Sequence, residues 1–301
     1  MNSPVYSLVM SAIRYEAPRS VADAVRLIQT DPGARVLAGG TDLLVQFRSG
    51  IRRPTAFIDI KRIPELVGIT IDSHGLRLGA ATPAAVVCEH AEVRALWPGL
   101  VEAVHLIGST QIQGRGTVGG NLCNGSPAAD STCALIVSQA ECIIAGPKGE
   151  RVVPAESFCT APGRTVLEPG EFLVALRLPK PAARTADAYL RLIPRSEMDI
   201  AVVGAGVSVT LDAAGTCTAA RVAIGAVAPT ALLVPDAAKA LIGTKVDDAA
   251  LSRASEAATA AARPIDDKRG TVEYRRAIAG VLVKRAAKAA ADRARARNQA
   301  S

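Results

Sequence analysis

Val36-Leu-Ala-Gly-Gly-Thr-Asp-Leu-Leu44 and, further along, Thr117-Val-Gly-Gly-Asn121 share one arrangement. In each, a Gly-Gly pair lies among small and polar residues, follows an extended segment or a helix end, and leads into apolar sequence. Glycine admits positive φ and lets a ligand approach the main chain closely. Successive exposed N–H groups then cradle an anion without any lysine. Thr41 and Thr117 add hydroxyl donors, and Asn121 can orient its loop or reach a phosphate. A single Gly-Gly reads as an ordinary tight turn; two of them suit the two phosphates of a diphosphate. Neither matches the dinucleotide fingerprint or the lysine-bearing phosphate loop. Gly204-Ala-Gly206 lacks a third glycine and lies in a strand-like run, against a Rossmann site there.

Around the first motif, strand and helix patterns alternate. Arg14–Tyr15 opens a short strand, and Ser20 caps a helix to about Gln29 in the form of a capping box. Arg35-Val-Leu-Ala and Thr55–Ile60 read as extended, and Asp42 reads as the cap of the helix after the glycines. Ile63–Leu66 forms a short helical turn. Gly68–Ile71 and Leu76–Ala80 form a hairpin, and Thr82-Pro83 caps and starts a helix to about His90. A helix over Pro98–Ile107 ends at Gly108, and Trp97 before it reads as packing. Ser131–Val137 reads as an apolar helix, and Ala140–Ala145, Arg151–Val153 and Glu171–Leu178 as strands. After Pro179-Lys-Pro181 the pattern changes. Ala186–Leu192, Ile200–Leu211 and Cys217–Ala226 form an antiparallel meander turning at Asp212-Ala-Ala-Gly215. Helices follow over Pro235–Ile242, Ala249–Ala262 and Thr271–Ala291.

Gln111-Ile-Gln-Gly-Arg-Gly-Thr-Val-Gly-Gly-Asn-Leu-Cys-Asn124 and Ser126-Pro-Ala-Ala-Asp130, taken with the first glycine motif, resemble the FAD-binding (medium) subunit of molybdenum hydroxylases, of the carbon monoxide dehydrogenase and xanthine dehydrogenase type. Pro169-Gly-Glu171, Arg195-Ser-Glu-Met-Asp-Ile200 and Glu273-Tyr-Arg-Arg276 extend the likeness in order over nearly the whole chain. The resemblance implies an α+β fold: a two-lobed α/β FAD-binding domain over 1–180, its lobes divided near 62, then a smaller domain of antiparallel sheet plus helices over 181–301. It implies non-covalent FAD held by Leu37, Ala38, Gly39, Gly40, Thr41, Asp42 and Leu43 on one side. Thr117, Val118, Gly119, Gly120 and Asn121 would hold the other. Ile107 would make an apolar contact, Asp130 would accept a hydrogen bond from the ribose or adenine side, and Leu173 and Arg191 would fall at two further contact positions. The implied partners are a small subunit with [2Fe-2S] clusters and a large subunit with molybdopterin, in a dimer of heterotrimers. Where relatives often have His-Pro this chain has Ser109-Thr110, and Gln113-Gly114 replaces an Arg or Asn nearby. These departures touch flavin tuning and remove no phosphate-binding glycine.

The 301 residues, 49% hydrophobic and 21% charged, suffice for a sizeable core. The longest stretches without a charge, Gly116–Ala129 and Val222–Pro235, are 14 residues each, short of the roughly 18 that a membrane span needs. The first 13 residues are uncharged and run into Arg14, unlike a secretory signal, so a cytoplasmic protein is expected. Six cysteines and three histidines show no metal-ligand spacing, nor an iron–sulfur pattern, and Cys123 reads as a buried loop thiol. The net charge of +7 comes from 263–297, where eleven basic residues face four acidic ones. That segment reads as a solvated, Ala-rich helical end, with no aromatics for stacking bases. The expected function is an electron-transfer subunit. A self-sufficient FAD oxidoreductase would need a substrate base, and none stands out; a nucleic-acid-binding protein would have to use the basic segment.

Overall fold

The computed structural model describes residues 13–299, so nearly all of the uncharged N-terminal stretch lies outside the described residues. The chain opens with β1 (Arg14–Glu16), α1 (Val21–Thr30), β2 (Arg35–Leu37), α2 (Leu43–Arg48) and β3 (Ala56–Asp59). These strands form a small parallel sheet in the order β1-β3-β2. Its central strand, Ala-Phe-Ile-Asp, is buried throughout, as a parallel strand covered on both faces should be. Ser20 caps α1 by accepting the Asp23 amide at 3.1 Å, and Asp23 returns the favour to the Ser20 hydroxyl at 2.8 Å.

After two short 3₁₀ turns come β4 (Ile69–Ile71), β5 (Gly75–Gly79), and the helices α3 (Ala84–Glu89), α4 (Ala91–Leu96), α5 (Pro98–His105), α6 (Thr110–Gln113), α7 (Val118–Cys123) and α8 (Asp130–Val137). Then follow β6 (Glu141–Gly146), β7 (Gly149–Pro154), α9 (Ala155–Phe158), β8 (Cys159–Ala161), β9 (Arg164–Thr165) and β10 (Phe172–Pro179). A five-stranded antiparallel sheet, β4-β5-β10-β6-β7, carries this part. The late strand β10 inserts at its centre, with a bulge between Leu173 and Ala175. Every residue of α8 is buried, which explains why its apolar residues, Cys133 to Val137, follow one another without a polar stripe.

The remainder holds β11 (Thr185–Leu192), β12 (Val203–Leu211), β13 (Cys217–Gly225), β14 (Leu232–Leu233), α10 (Pro235–Leu241), α11 (Asp248–Ala261) and α12 (Val272–Gln299). The expected meander is present in register, Asp187 opposite Ser208 and Ser208 opposite Arg221. Alternation sorts its two faces: Ala186, Ala188, Val207 and Val209 join the helices in one core, while Tyr189 and Ala223 join the core beneath α5 and α8. The α+β class expected from sequence is the observed one.

Two local expectations fail. Thr82 does not cap α3: Pro83 occupies the cap position, and the Thr82 hydroxyl instead accepts the Gly68 amide at 2.8 Å. Asp42 occupies the cap position of α2 with helical backbone angles and makes no capping bond. The basic C-terminal segment is largely paired within the chain. Arg293 bonds Glu102 and the Asp187 carbonyl, Arg295 and Lys288 pair with Asp292, and Arg275 pairs with Asp267. No described helix is long and apolar enough to cross a membrane.

Candidate functional site

The two glycine motifs meet. A cleft of about 700 Å³ opens between the small parallel sheet and the part carried by the five-stranded sheet, with Gly39, Gly40, Thr41, Thr117, Gly119 and Gly120 in its wall. That volume lies within the range of pockets that bury a cofactor-sized ligand. The two segments touch backbone to backbone, since a β-carbon on Gly39 would lie 2.0 Å from the Arg115 carbonyl oxygen. Gly40 takes a φ of +78°, a conformation that side chains disfavour. Lys61 pins this first segment by donating to the Ala38 carbonyl at 2.7 Å, while its ammonium also pairs with Asp59 at 2.7 Å. Burial alone would push the Asp59 carboxyl up, but hydrogen bonds from Lys61 and Tyr15 prevail and hold it below the usual range.

The second motif differs from the turn read in the sequence. Val118, Gly119 and Gly120 are the first turn of α7, and neither glycine has a positive φ. Thr117 caps the helix, its hydroxyl accepting the Gly120 amide at 2.8 Å. Gly119 is required for packing, because a β-carbon there would meet the Ala80 carbonyl oxygen at 2.6 Å. A β-carbon on Gly120 would meet only the Thr117 hydroxyl, at 3.0 Å. Among the described residues no protein acceptor takes the amide hydrogens of Gly40, Thr41 or Gly119. Unsatisfied amides at a lined cleft, with glycines that admit close approach, fit a diphosphate.

The other expected residues divide into two groups. Ala38, Asp42, Leu43, Ile107, Asn121 and Leu173 line the cleft. Leu37 and Val118 are buried and do not line the cleft, nor do Asp130 and Arg191, which form a buried ion pair at 2.7 Å. The second Asp130 oxygen accepts from the Tyr189 hydroxyl at 2.8 Å, so both oxygens already have partners within the chain. Burial pushes the Asp130 carboxyl up to about 6 against the pull of Arg191 and Tyr189. Cys123 is not a buried loop thiol: it ends α7, is half-buried and lines the cleft, where desolvation pushes its thiol up and favours the protonated form. Trp97 is core, 2% exposed.

Sequence reasoning missed Gln46, Arg52 and Asn124, which also line the cleft. The Gln46 amide donates to Asn124 at 3.3 Å and accepts from Arg52 at 2.7 Å, tying α2 to the end of α7. Asn124 stood inside the quoted motif and was the available signal; Gln46 meets it only across 78 residues of chain. Thr165 at the end of β9, with Leu167 and Pro169 in the loop before β10, completes the cleft, braced by the Arg151–Glu171 pair at 2.7 Å.

This fold and site define a class: the chain belongs to the family described as the FAD binding domain in molybdopterin dehydrogenase, which it matches over residues 11–181. Residues 188–290 match the CO dehydrogenase flavoprotein C-terminal domain. Among individual proteins, the carbon monoxide dehydrogenase medium chain of Hydrogenophaga pseudoflava is 37% identical over 284 residues, covering 94% of this chain and 98% of that one. The xanthine dehydrogenase FAD-binding subunit of Escherichia coli O157:H7 is 34% identical, over 87% of this chain and 90% of its own. A solved carbon monoxide dehydrogenase from Hydrogenophaga pseudoflava superposes with a TM-score of 0.89 at 39% identity, covering 93% of this chain and 98% of the matched one. The chain is thus an FAD-binding component of the oxidoreductase family to which these multi-subunit dehydrogenases belong.

Proposed function

We propose that this chain carries electrons from an iron–sulfur partner to an external acceptor, within a complex whose substrate chemistry occurs on a separate molybdenum subunit. FAD, when bound, supplies exchange of either one or two electrons. The chain's own residues hold and orient it. Gly40 and Thr41 offer amides from one side of the cleft and Gly119 from the other, with the Thr41 hydroxyl and Asn121 beside them. Ile107 and Leu173 add apolar contact. Asp130 and Arg191 set the polarity of the wall behind the site, and no residue is assigned a covalent link. The observation that carries this reading is the meeting of both glycine segments, backbone against backbone, at one cleft.

In this reading the chain divides into an FAD-binding domain over 1–180, its lobes parting near 62, and a C-terminal domain over 181–301. It assembles with a small [2Fe-2S] subunit and a large molybdopterin subunit as a dimer of heterotrimers in the cytoplasm. Anaerobic stopped-flow reduction of the assembled complex tests it, with the iron–sulfur and flavin bands followed separately. Both bands should bleach on addition of substrate, and removal of FAD should abolish turnover with the natural acceptor while leaving iron–sulfur reduction intact. Full turnover without FAD, or flavin reduction by substrate in this chain alone, would contradict the relay.

A further inference from the structure

α8 is wholly buried, and its first turn carries three polar side chains, Asp130, Ser131 and Thr132, of which Ser131 has 0% exposure. A buried hydroxyl is costly unless it is bonded, and alanine would pack there without that cost. The Ser131 hydroxyl spends its one hydrogen on Asn121 Oδ1, at 2.7 Å. Asn121 is half-buried, sits in the first turns of α7 and lines the cleft. Its carboxamide has an acceptor end and a donor end. With Oδ1 engaged from behind by Ser131, Nδ2 is the end left for the cleft. The opposite orientation would set an acceptor oxygen against any anionic ligand. The neighbouring Asp130 cannot substitute for Ser131 here, because its oxygens accept from Tyr189 and Arg191.

We propose that Ser131 is a positioning residue for the flavin site, fixing the Asn121 carboxamide so that its N–H donor faces the ligand. The proposal rests on the assignment of this cleft to FAD. Ser131 itself touches no ligand and acts only through Asn121.

The test is a double-mutant cycle on the full chain in its assembled complex, stripped of flavin and titrated with FAD by quenching of flavin fluorescence. Loss of one oriented hydrogen bond corresponds to roughly a 3- to 20-fold weaker Kd, expected for Ser131→Ala and for Asn121→Ala alike. The double variant should bind no more weakly than Asn121→Ala alone, the non-additivity of residues acting as one unit. The near-isosteric Asn121→Asp, which turns an oxygen toward the cleft, should weaken binding by about 100-fold or more, since it swaps a donor for a repelling charge. Melting of the flavin-free complex reports folding separately. An unchanged Kd in Ser131→Ala, or a full further loss when it is added to Asn121→Ala, would overturn the proposal. Failure of the wild-type complex to take up FAD would instead overturn the cleft assignment beneath it.

Discussion

Replacing Gly39 by alanine tests the meeting of the two glycine segments at its tightest point. The new β-carbon would lie 2.0 Å from the Arg115 carbonyl oxygen, 2.6 Å from its carbon and 2.9 Å from the Gly116 α-carbon. All three are backbone atoms, so no rotamer change relieves the contact, and the segments must part by about 1 Å or more to reach van der Waals separation. Overpacking costs roughly 1–3 kcal/mol, and a backbone clash belongs at the upper end. At about 2–4 °C per kcal/mol for a chain of this size, melting should fall by roughly 6–12 °C. Parting the segments also misaligns the amides of Gly40 and Gly119. With each bond to a charged group contributing about 1.5–3 kcal/mol, loss of two should weaken FAD by roughly 10²- to 10⁴-fold. Differential scanning fluorimetry and FAD titration of the assembled complex read both effects. Gly120→Ala is the control, because its β-carbon meets only the Thr117 hydroxyl: flavin-free melting should stay within a few degrees while FAD binding weakens. Wild-type melting and wild-type FAD content in Gly39→Ala would refute the reasoning.

Gly119→Val should unfold the wall of the site through its clash with the Ala80 backbone, read as a loss of melting temperature even without flavin. Asp130→Asn would leave the Arg191 guanidinium, whose side chain is 6% exposed, without its ionic partner; a loss of about 3–5 kcal/mol by urea titration is expected. Burial pushes the Asp187 carboxyl up to about 6 from its ordinary 3.8. The folded chain therefore holds this proton more tightly than the unfolded one, and that stabilisation is full below about pH 4 and lost as pH rises to about 6. Asp187→Asn should flatten this part of the stability profile, measured by urea midpoints across the interval. Acid precipitation should release all flavin as FAD, identified by chromatography; FMN, or flavin retained in the pellet, would contradict a non-covalent diphosphate site.

Much of this fold was legible because local signals agreed with the tertiary structure. The meander alternates its faces, the Ser20 cap stands at its helix start, and α10, α11 and α12 begin within a residue of expectation. α7 was not legible as a helix because Gly-Gly disfavours one. Its existence depends on the Thr117 cap and on close packing at Ala80, a residue far away in sequence. Both glycine motifs line one cleft, but for Gly119 the physical reason is helix packing rather than backbone angle. Asp130 looked like a free acceptor because its partners, Tyr189 and Arg191, arrive 59 and 61 residues later on β11. A separation of 191 residues hid the pairing of Arg293 with Glu102, which turns an apparent basic tail into a strap between α12 and α5.

The most direct test is an experimental structure of the assembled complex loaded with FAD. The diphosphate should lie between Gly39–Leu43 and Thr117–Asn121, in hydrogen-bond reach of the Gly40, Thr41 and Gly119 amides, with Asn121 Nδ2 turned toward the ligand. A flavin bound elsewhere on the chain, or a diphosphate touching only one of the two glycine segments, would contradict the assignment.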